Sequence, residues 1–232
     1  MASQLEGKVA VVTGAAGGLG AASALRLSRE GCSVVVDFHH LNAGIPGSLG
    51  NFPDLTADEF DRVMAVNVRG VFLGLRGAFR GYLAAGITGS VVLTASIASL
   101  RGSADLIAYQ TSKHAVLGLL RGAAMYGGPL GIRVNAVAPG IVPTALFSPS
   151  GRDDMIRRAA SAPLRRAGTP DEIASVVAFL LSDDAAYMTG EVVSVDGGSS
   201  IVSTVRPSGG AGAWDFGALD ERTYGPREVG EE

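Results

Sequence analysis

The stretch that decides the fold is Lys8-Val-Ala-Val-Val-Thr13, followed at once by Gly14-Ala-Ala-Gly-Gly-Leu-Gly20. The first part is a short, β-branched apolar run, which predicts a buried strand of a parallel sheet. A helical period begins at Ala21 and stops at Gly31. Strand, glycine turn and helix in this order predict a dinucleotide-binding α/β fold, because glycines let the backbone approach a pyrophosphate and free amides at the helix start bind its charge. A glycine turn that only lets strand and helix pack is the alternative.

A second apolar run, Ser33-Val-Val-Val36, ends in Asp37, which lies 23 residues after Gly14. This offset is close to the ~20 residues at which dinucleotide folds place the acid that binds a ribose hydroxyl. A carboxylate there repels the 2′-phosphate of NADP, so the pattern predicts NAD as the cofactor and disfavours NADP. The alternative interpretation of Asp37 is an ordinary acid at the end of a strand.

Composition places the chain among globular α/β proteins. It has 232 residues, of which 47% are apolar and 18% charged, which is enough chain for one domain with a sizeable core. A net charge of −3 argues against nucleic acid or an anionic membrane as partner. The single cysteine, Cys32, forms no internal disulfide, and the sequence shows no apolar leader or membrane-spanning run. A cytoplasmic protein is therefore expected.

The candidate chemistry lies in Tyr109-Gln-Thr-Ser-Lys113. On a helix, the i, i+4 spacing of Tyr109 and Lys113 brings both side chains to one face. A phenol with an unperturbed pKa of ~10 is a weak acid near neutral pH, and an ammonium beside it favours the phenolate and lowers that pKa. The pair therefore suits general acid/base catalysis on an alcohol or a ketone. The same spacing also occurs on solvated helix faces without any catalytic role.

Several motifs, taken in chain order, resemble those of the short-chain dehydrogenase/reductase family, and the resemblance covers about residues 5–200. The family's TGxxxGxG, NNAG, NxxG, serine, nicotinamide-loop and last-strand motifs each have a similar stretch here. These stretches are Thr13-Gly14-x-x-x-Gly18-x-Gly20, Asn42-Ala43-Gly44, Asn67-Val-Arg-Gly70, Ser96 at 13 residues before Tyr109, Pro139-Gly140 with Thr144, and Thr189-Gly190 with Val195-Asp-Gly-Gly198.

The resemblance implies an enzyme that interconverts a secondary alcohol and a ketone by hydride transfer to or from NAD(H). It implies that Tyr109 transfers the proton, that Lys113 lowers the Tyr109 pKa and holds the nicotinamide ribose, and that Ser96 orients the carbonyl. Asn67 is expected to hold a water of the proton relay behind Lys113. A small-molecule substrate and a homodimer or homotetramer are also implied, with 3-oxoacyl carrier-protein reductase as an alternative activity. The implied cofactor-binding residues are Gly14, Gly18, Leu19, Gly20, Asp37, Asn42, Ala43, Gly44, Tyr109, Lys113, Pro139, Gly140, Val142 and Thr144.

The chain departs from the family between Asp37 and Asn42, where only residues 38–41 intervene and Leu41 replaces the first Asn of NNAG. The family has two further strands and two helices there, and a parallel crossover needs a dozen or more residues. We therefore predict a Rossmann-like, doubly wound parallel sheet of about five strands, shortened by two strands, with helices on both faces. If the second strand stays beside the first, the slot on the first strand's other side is empty; if it moves into that slot, its helix changes face. A catalytically impaired remnant that acts only as an oligomer partner is the competing functional hypothesis.

The remaining patterns divide the chain into one domain, residues 1–200, and a tail, residues 201–232, of linker-like composition. Residues 145–168 are expected to form a lid over the substrate. A long helix is predicted over about 57–84, with Asn67 in its interior, where asparagine is unfavourable. The resemblance implies a kinked turn at Asn67, and a tolerated polar residue on an exposed turn is the alternative. Further helices are predicted at 109–127 and 170–181, and further strands at 90–94, 132–137 and 191–195.

Adjacent histidines, His39 and His40, are not expected to bind a metal. Neighbouring residues of a strand point to opposite faces, and no cysteine or carboxylate lies at the spacing of a metal site. The prediction is a junction loop and no metal site.

Overall fold

The computed structural model describes residues 5–6, 8–13, 15, 17–37, 44–48, 52–144 and 149–201. The predicted strands and helices are present, with ends that differ by a few residues. The strands are β1 Val9–Thr13, β2 Ser33–Asp37, β3 Gly89–Thr94, β4 Ile132–Pro139 and β5 Val192–Val195. The helices are α1 Gly18–Arg29, α2 Ala57–Met64, α3 Gly70–Ala85, α4 Ile107–Gly127, α5 Pro149–Ala159 and α6 Pro170–Leu181.

The strands form two parallel sheets, which corrects the expectation of one sheet of five strands. Among the described residues β1 pairs with β2 and with no other strand, from Val9 opposite Ser33 to Thr13 opposite Asp37. The second sheet has the order β3-β4-β5. The second strand has thus kept its place beside the first, and no strand of the described ranges links β1 to β3. The physical reason is the connection of residues 38–41, which is too short to contain another parallel strand.

Helices cover both faces of the β3-β4-β5 sheet, as predicted for a doubly wound fold. On one face, Val91 of β3 and Val134 of β4 are buried in a cluster with apolar side chains of α3 and α4. On the other face, Val137 of β4 packs with Ile173 and Leu180 of α6. Successive strand residues therefore bury side chains in opposite directions, which explains the continuous apolar runs of β3 and β4.

The unit of β1, α1 and β2 docks on the rest of the molecule through α6. α1 packs along α6, and Leu27 of α1 shares a buried cluster with Ala178 of α6, Leu5 and Cys32. In the part of the chain described, side-chain packing and not a backbone ladder therefore joins the two sheets.

The long helix predicted over 57–84 is interrupted at Asn67, where the family resemblance implied a kinked turn. Thr56 caps α2, since its side chain accepts a 3.3 Å hydrogen bond from the Glu59 N–H. Between α2 and α3 the backbone forms one π-helical turn, Ala65–Arg69, with Asn67 at its centre. Such turns widen a helix locally and are frequent at functional sites. The turn carries Asn67 into the interior, where the residue is 1% exposed.

Part of the segment expected to form a lid is described. Residues 149–168 comprise α5 and the turns that follow it, whereas residues 145–148 and the predicted tail beyond residue 201 lie outside the described ranges. The lid and the division into domain and tail stay predictions.

Candidate active site

The structure brings the four predicted catalytic side chains together beside the carboxyl end of β3. Ser96 follows β3 by two residues, and its side chain is hydrogen-bonded to that of Tyr109 on α4. The Lys113 ammonium, one turn further along α4, lies 5.6 Å from the centre of the Tyr109 ring. Asn67 reaches the same helix through a 2.9 Å hydrogen bond from its Nδ2 to the hydroxyl of Ser112. The i, i+4 argument for one shared face of α4 is therefore confirmed as geometry.

Lys113 is a buried cation. The residue is 4% exposed, and its Nζ donates a 2.9 Å hydrogen bond to the carbonyl oxygen of Thr94. Burial lowers the pKa of Lys113 to about 8, because a low-dielectric interior disfavours the ammonium. Among the described residues Thr94 accepts one of the three ammonium hydrogens, which leaves two that could reach a bound ligand.

Tyr109 does not have the lowered pKa that its spacing from Lys113 suggested. Burial raises the pKa of the Tyr109 phenol above its ordinary value, and the hydrogen bond with Ser96 opposes this rise. Lys113 is not among the groups that set this pKa. The expectation is thus wrong for the chain without a ligand, because burial disfavours the charged phenolate.

The side chain of Asn67 makes three hydrogen bonds inside the protein. Its Oδ1 accepts from the Ile45 N–H at 2.9 Å, and its Nδ2 donates to the Ile45 carbonyl at 3.1 Å and to Ser112. The predicted role of holding a relay water stays a prediction. The contacts show a further role: Asn67 fixes the turn at Ile45 to α4.

Ser96 is held by a short capping motif. Its Oγ accepts a hydrogen bond from the Ala98 N–H at 3.1 Å, and its own N–H donates to the Ser99 hydroxyl at 3.2 Å. Ser99 is 2% exposed, so it supports the Ser96 backbone from inside the protein. This arrangement fixes the position of the Ser96 hydroxyl next to Tyr109.

The start of α1 fits the phosphates of a dinucleotide. No side chain caps Gly17 at the helix start, and no acid lies in the first turn. A methyl group built on Gly17 would meet nothing within 4 Å, and Gly18 adopts φ +56°, which glycine tolerates without strain. Uncapped N–H groups at the positive end of the helix dipole attract an anion. Gly20 is buried within α1, and Leu19 packs against the cluster beneath α6.

The loop after β4 approaches this turn, although not all of its residues face outward. A Cβ on Gly18 would lie 3.5 Å from Cγ2 of Thr144. The Val142 side chain, in contrast, is 7% exposed and belongs to the core cluster with Ile173. Cofactor binding by Val142 stays a prediction, and its backbone would make the contact because its side chain is used in the core.

Gly140 has a structural reason to be glycine. A Cβ there would lie 2.7 Å from the Asp196 Cα, which is closer than atoms can approach, so the ends of β4 and β5 leave no room for a side chain. Pro139 ends β4 opposite Val195 of β5. Both predicted residues therefore lie at the carboxyl ends of strands.

Other predicted cofactor residues are described in part. Gly14, Asn42 and Ala43 lie outside the described residues, as do His39 and His40. Of Asp37 the structure describes only the backbone, at the carboxyl end of β2.

Gly44 lies against the catalytic helix. A Cβ on Gly44 would lie 3.5 Å from Lys113 Nζ and 3.6 Å from Asn67 Oδ1. Gly44 therefore lies within van der Waals reach of the Lys113 ammonium and of the Asn67 amide.

Within the described ranges, no three His, Cys, Asp or Glu side chains group as a metal site would require. Among the same residues, no helix has both the length and the apolar character needed to cross a bilayer.

Two groups at this site were not identified from the sequence. The Thr94 carbonyl holds Lys113, but a backbone acceptor has no signature in the residue type. Ser112 lies inside the Tyr109–Lys113 motif, and a small polar residue three positions after Tyr109 was the one available signal.

Comparisons with known proteins agree with the motifs. A family model described as enoyl-(acyl carrier protein) reductase matches residues 35–200. Levodione reductase of Leifsonia aquatica is 43% identical over 173 residues, which span 71% of this chain and 64% of that protein. The match thus covers less than two thirds of the length of that relative. Cyclohexanol dehydrogenase of Acinetobacter sp. (strain SE19) is 33% identical over 246 residues, which span 85% of this chain and 96% of that protein.

Solved structures show the same fold. The crystal structure of levodione reductase matches with a TM-score of 0.78 at 32% identity, over 86% of this chain and 100% of that chain. This confirms the Rossmann-like class. Two further similar structures hold a nicotinamide cofactor: NADP in a 2-deoxy-D-gluconate 3-dehydrogenase from Agrobacterium tumefaciens, and NADH in a 3-ketoacyl-(acyl-carrier-protein) reductase from Brucella melitensis. The motifs, the fold and these matches together show that the chain belongs to the short-chain dehydrogenase/reductase family of oxidoreductases.

Proposed function

We propose that the protein interconverts a secondary alcohol and a ketone with NAD(H), and that Tyr109 is the general acid and base. The observation that carries this proposal is the grouping of Ser96, Tyr109 and the buried cation Lys113 beside one strand end. A phenol, a hydroxyl donor and an ammonium are the groups that proton transfer at a carbonyl oxygen requires.

In the oxidative direction, the substrate hydroxyl gives its proton to the Tyr109 phenolate while the carbon–hydrogen bond breaks and the C=O bond forms. A bound nicotinamide would supply the hydride acceptor for that carbon in this direction and the hydride donor in reverse. The Ser96 hydroxyl donates a hydrogen bond to the substrate oxygen and orients it. The Lys113 ammonium stabilises the phenolate through its positive charge and binds a ribose hydroxyl with its remaining hydrogens.

The two ends of the cofactor, adenosine and nicotinamide, would be bound by different parts of the chain. The open N-terminus of α1, with Gly14, Gly18 and Gly20, binds the pyrophosphate, and Asp37 binds the adenosine ribose. The nicotinamide end would lie between the turn of Asn42, Ala43 and Gly44 and the loop of Pro139–Thr144. Asp37 is the reason to propose NAD, because its carboxylate repels the extra phosphate of NADP.

The substrate class rests on the relatives named for levodione and cyclohexanol. We therefore propose a cyclic secondary alcohol or ketone as the first substrate to test. The 3-oxoacyl carrier-protein alternative is kept as an arm of that test, because a 3-ketoacyl reductase of similar fold holds NADH, so preference for NADH does not separate the two activities.

A homo-oligomer is proposed from the apolar side chains that α3 and α4 expose. Phe72 and Leu73 on α3 are 46% and 39% exposed, and Met125 and Tyr126 on α4 are 80% and 63% exposed. A second copy of the chain would cover this face. Light scattering of wild type and of Met125→Glu tests it: the variant should be smaller in mass, and a monomeric wild type would contradict the assembly. The buried, free Cys32 is consistent with the proposed cytoplasmic location.

The proposed function is tested by binding first and turnover second. NADH and NADPH are titrated into the purified chain by calorimetry, and then NAD reduction is followed with cyclohexanol, and NADH oxidation with cyclohexanone or acetoacetyl-CoA. Tighter binding of NADH than of NADPH, and turnover that Tyr109→Phe abolishes, is the expected result. A folded wild-type protein that binds neither cofactor would overturn the proposal and leave the impaired-remnant hypothesis.

A further inference from the structure

Ser112 lies on α4 between the two acid/base residues and is fully buried, with 0% exposure. Its hydroxyl donates a 2.6 Å hydrogen bond to the Tyr109 carbonyl oxygen and accepts a 2.9 Å hydrogen bond from Nδ2 of Asn67. The donor and one acceptor site of the hydroxyl are thus both used. Ser112 therefore joins the backbone of the catalytic helix to a side chain of the π-helical turn.

The contact continues through Asn67 to the turn at Ile45. The amide of Asn67 holds both the N–H and the carbonyl of Ile45, at 2.9 and 3.1 Å. Residues 44–48 form no helix or strand, so no backbone ladder fixes this turn. The hydrogen bonds to Asn67, which Ser112 orients, take the place of a ladder.

The position of this turn decides how far Lys113 is exposed to water. Gly44, the neighbour of Ile45, lies so close that a Cβ on it would be 3.5 Å from Lys113 Nζ. Lys113 itself is 4% exposed. A turn that moved away from α4 would admit water to the ammonium.

We propose that Ser112 is a positioning residue, whose hydroxyl orients Asn67, holds the Gly44–Ile45 turn against α4 and so keeps the Lys113 ammonium away from water. The proposal deepens the proposed function, because Lys113 is the cation of that mechanism. Ser112 acts through Asn67 and touches neither substrate nor cofactor.

The surroundings of Lys113 make its titration a direct measure of how well the Gly44–Ile45 turn excludes water from the ammonium. Desolvation is the one cause that lowers the Lys113 pKa to about 8. Tyr109 is the titratable group beside it. The charged residues on the described elements packed against α4 are not among the causes of the lowered Lys113 pKa; they are Asp58, Glu59, Asp61, Arg62, Arg69, Arg76, Arg80 and Arg133. Admission of water must therefore raise the Lys113 pKa.

The experiment uses the fact that the chain has only two lysines, Lys8 and Lys113. Wild-type protein labelled with ¹³C-lysine is titrated by NMR, and the side-chain Cε signals report two midpoints without any cofactor or substrate. Lys8, whose side chain is 41% exposed, is the internal reference. Wild-type Lys113 should titrate near pH 8, and a midpoint in the ordinary range would overturn the proposal.

Ser112→Ala should raise the Lys113 midpoint by about one pH unit, a tenfold change in proton affinity, and leave that of Lys8 unchanged. Asn67→Ala should give the same shift, and the double variant no further shift, because both act in one chain of contacts. The matched control is Ser182→Ala: Ser182 is 5% exposed and donates to the carbonyl of Phe179, also three residues earlier, but far from the site.

An unchanged Lys113 midpoint in folded Ser112→Ala, or an equal shift in Ser182→Ala, would overturn the positioning role. Ser112→Cys, which retains a weaker donor of similar size, is measured in parallel and should give an intermediate Lys113 midpoint. A wild-type Lys113 midpoint in both Ser112→Ala and Ser112→Cys would also overturn the positioning role. Because the titration needs no turnover, a failed substrate screen overturns the proposed function and leaves this test intact.

Discussion

The Lys113 ammonium donates its hydrogen bond to the carbonyl oxygen of Thr94 on the edge of β3 that faces away from β4. The orientation follows from the next residue, Ala95, whose N–H donates to Val137 of β4, since neighbouring strand residues point their backbone groups to opposite sides. In the described part of the chain no strand pairs with this edge. A side chain of the site thus supplies a donor that a neighbouring strand would otherwise provide.

Replacement of Lys113 should make the protein more stable and less active. Burial lowers the Lys113 pKa from 10.5 to about 8, so the folded state holds its proton less well than the unfolded chain. The resulting penalty is complete below about pH 8 and fades as the pH rises toward ~10. Lys113→Met removes up to about 3 kcal/mol of penalty, offset by about 1–2 kcal/mol for the lost hydrogen bond to Thr94. Urea unfolding at pH 7 should give Lys113→Met a higher free energy of unfolding than wild type, and this difference should disappear at high pH. A lower free energy of unfolding at both pH values would contradict the prediction.

Ketone reduction should decline above about pH 8. Lys113 loses its proton there, whereas the raised Tyr109 pKa keeps the phenol protonated. The limb in kcat/KM, measured with saturating NADH, therefore belongs to Lys113. Lys113→Arg, which stays charged, should lack this limb if it turns over. A wild-type profile that stays flat into alkaline pH would show that the ammonium charge is not required.

Loss of the Tyr109 hydroxyl should remove turnover and spare binding. Tyr109→Phe should lower kcat by about 10²–10⁴-fold, the usual contribution of a general acid or base, with NADH affinity unchanged. Tyr82→Phe is the matched control, since Tyr82 also has its pKa raised by burial and donates to the Ser90 carbonyl at 3.1 Å. It should lose about 1 kcal/mol of stability and keep kcat. Equal losses of kcat in the two variants would argue against catalysis by Tyr109.

Removal of the Asp37 carboxylate should shift the cofactor preference toward NADPH. Asp37→Ser is expected to change the ratio of NADPH to NADH dissociation constants by about tenfold, or ~1.4 kcal/mol. Asp61→Asn, which removes the same charge from an exposed position on α2, should leave the ratio unchanged. Calorimetric titrations that give the wild-type ratio for Asp37→Ser would exclude Asp37 from the ribose site.

A methyl group on Gly140 should destabilise the protein. Its Cβ would lie 2.7 Å from the Asp196 backbone, so Gly140→Ala forces the ends of β4 and β5 apart at a cost of about 1–3 kcal/mol. Gly102→Ala, where a Cβ meets nothing within 4 Å, is the control and should be nearly neutral in thermal unfolding. Equal melting temperatures for the two variants would contradict the predicted overlap.

The strands and the helices other than α5 were predictable, because the apolar runs of β1 to β5 and the helical periods are local patterns. The helix α5 lies in the segment that was expected only to form a lid. The division into two sheets could not be predicted, since the short connection of residues 38–41 allowed β2 to lie on either side of β1. The choice between them depends on how α1 packs on α6, which is a tertiary contact between residues far apart in the chain.

The site was predictable to a similar extent. The spacing of Tyr109 and Lys113 was sufficient to place them on one face, and the family resemblance implied an irregular turn at Asn67. The direction in which the Tyr109 pKa is shifted could not be predicted, because desolvation depends on the burial of the whole site. The contacts of Val142, Ser112 and the Thr94 carbonyl likewise arise only when separate elements pack.

The way α1 rests on α6 also bears on local unfolding. The described residues between 5 and 37 are joined to the rest by packing around Leu27 and Leu19 and by a 2.9 Å hydrogen bond from Arg26 to Ser175. An exposed ion pair of Lys8 with Asp183 contributes little. A unit attached in this way opens at a lower free energy than the whole molecule, and its amide hydrogens exchange with solvent sooner. A bound dinucleotide that contacted both sheets would stabilise their association. Its binding should therefore slow amide hydrogen exchange in β1 and β2 more than in β3 and β4.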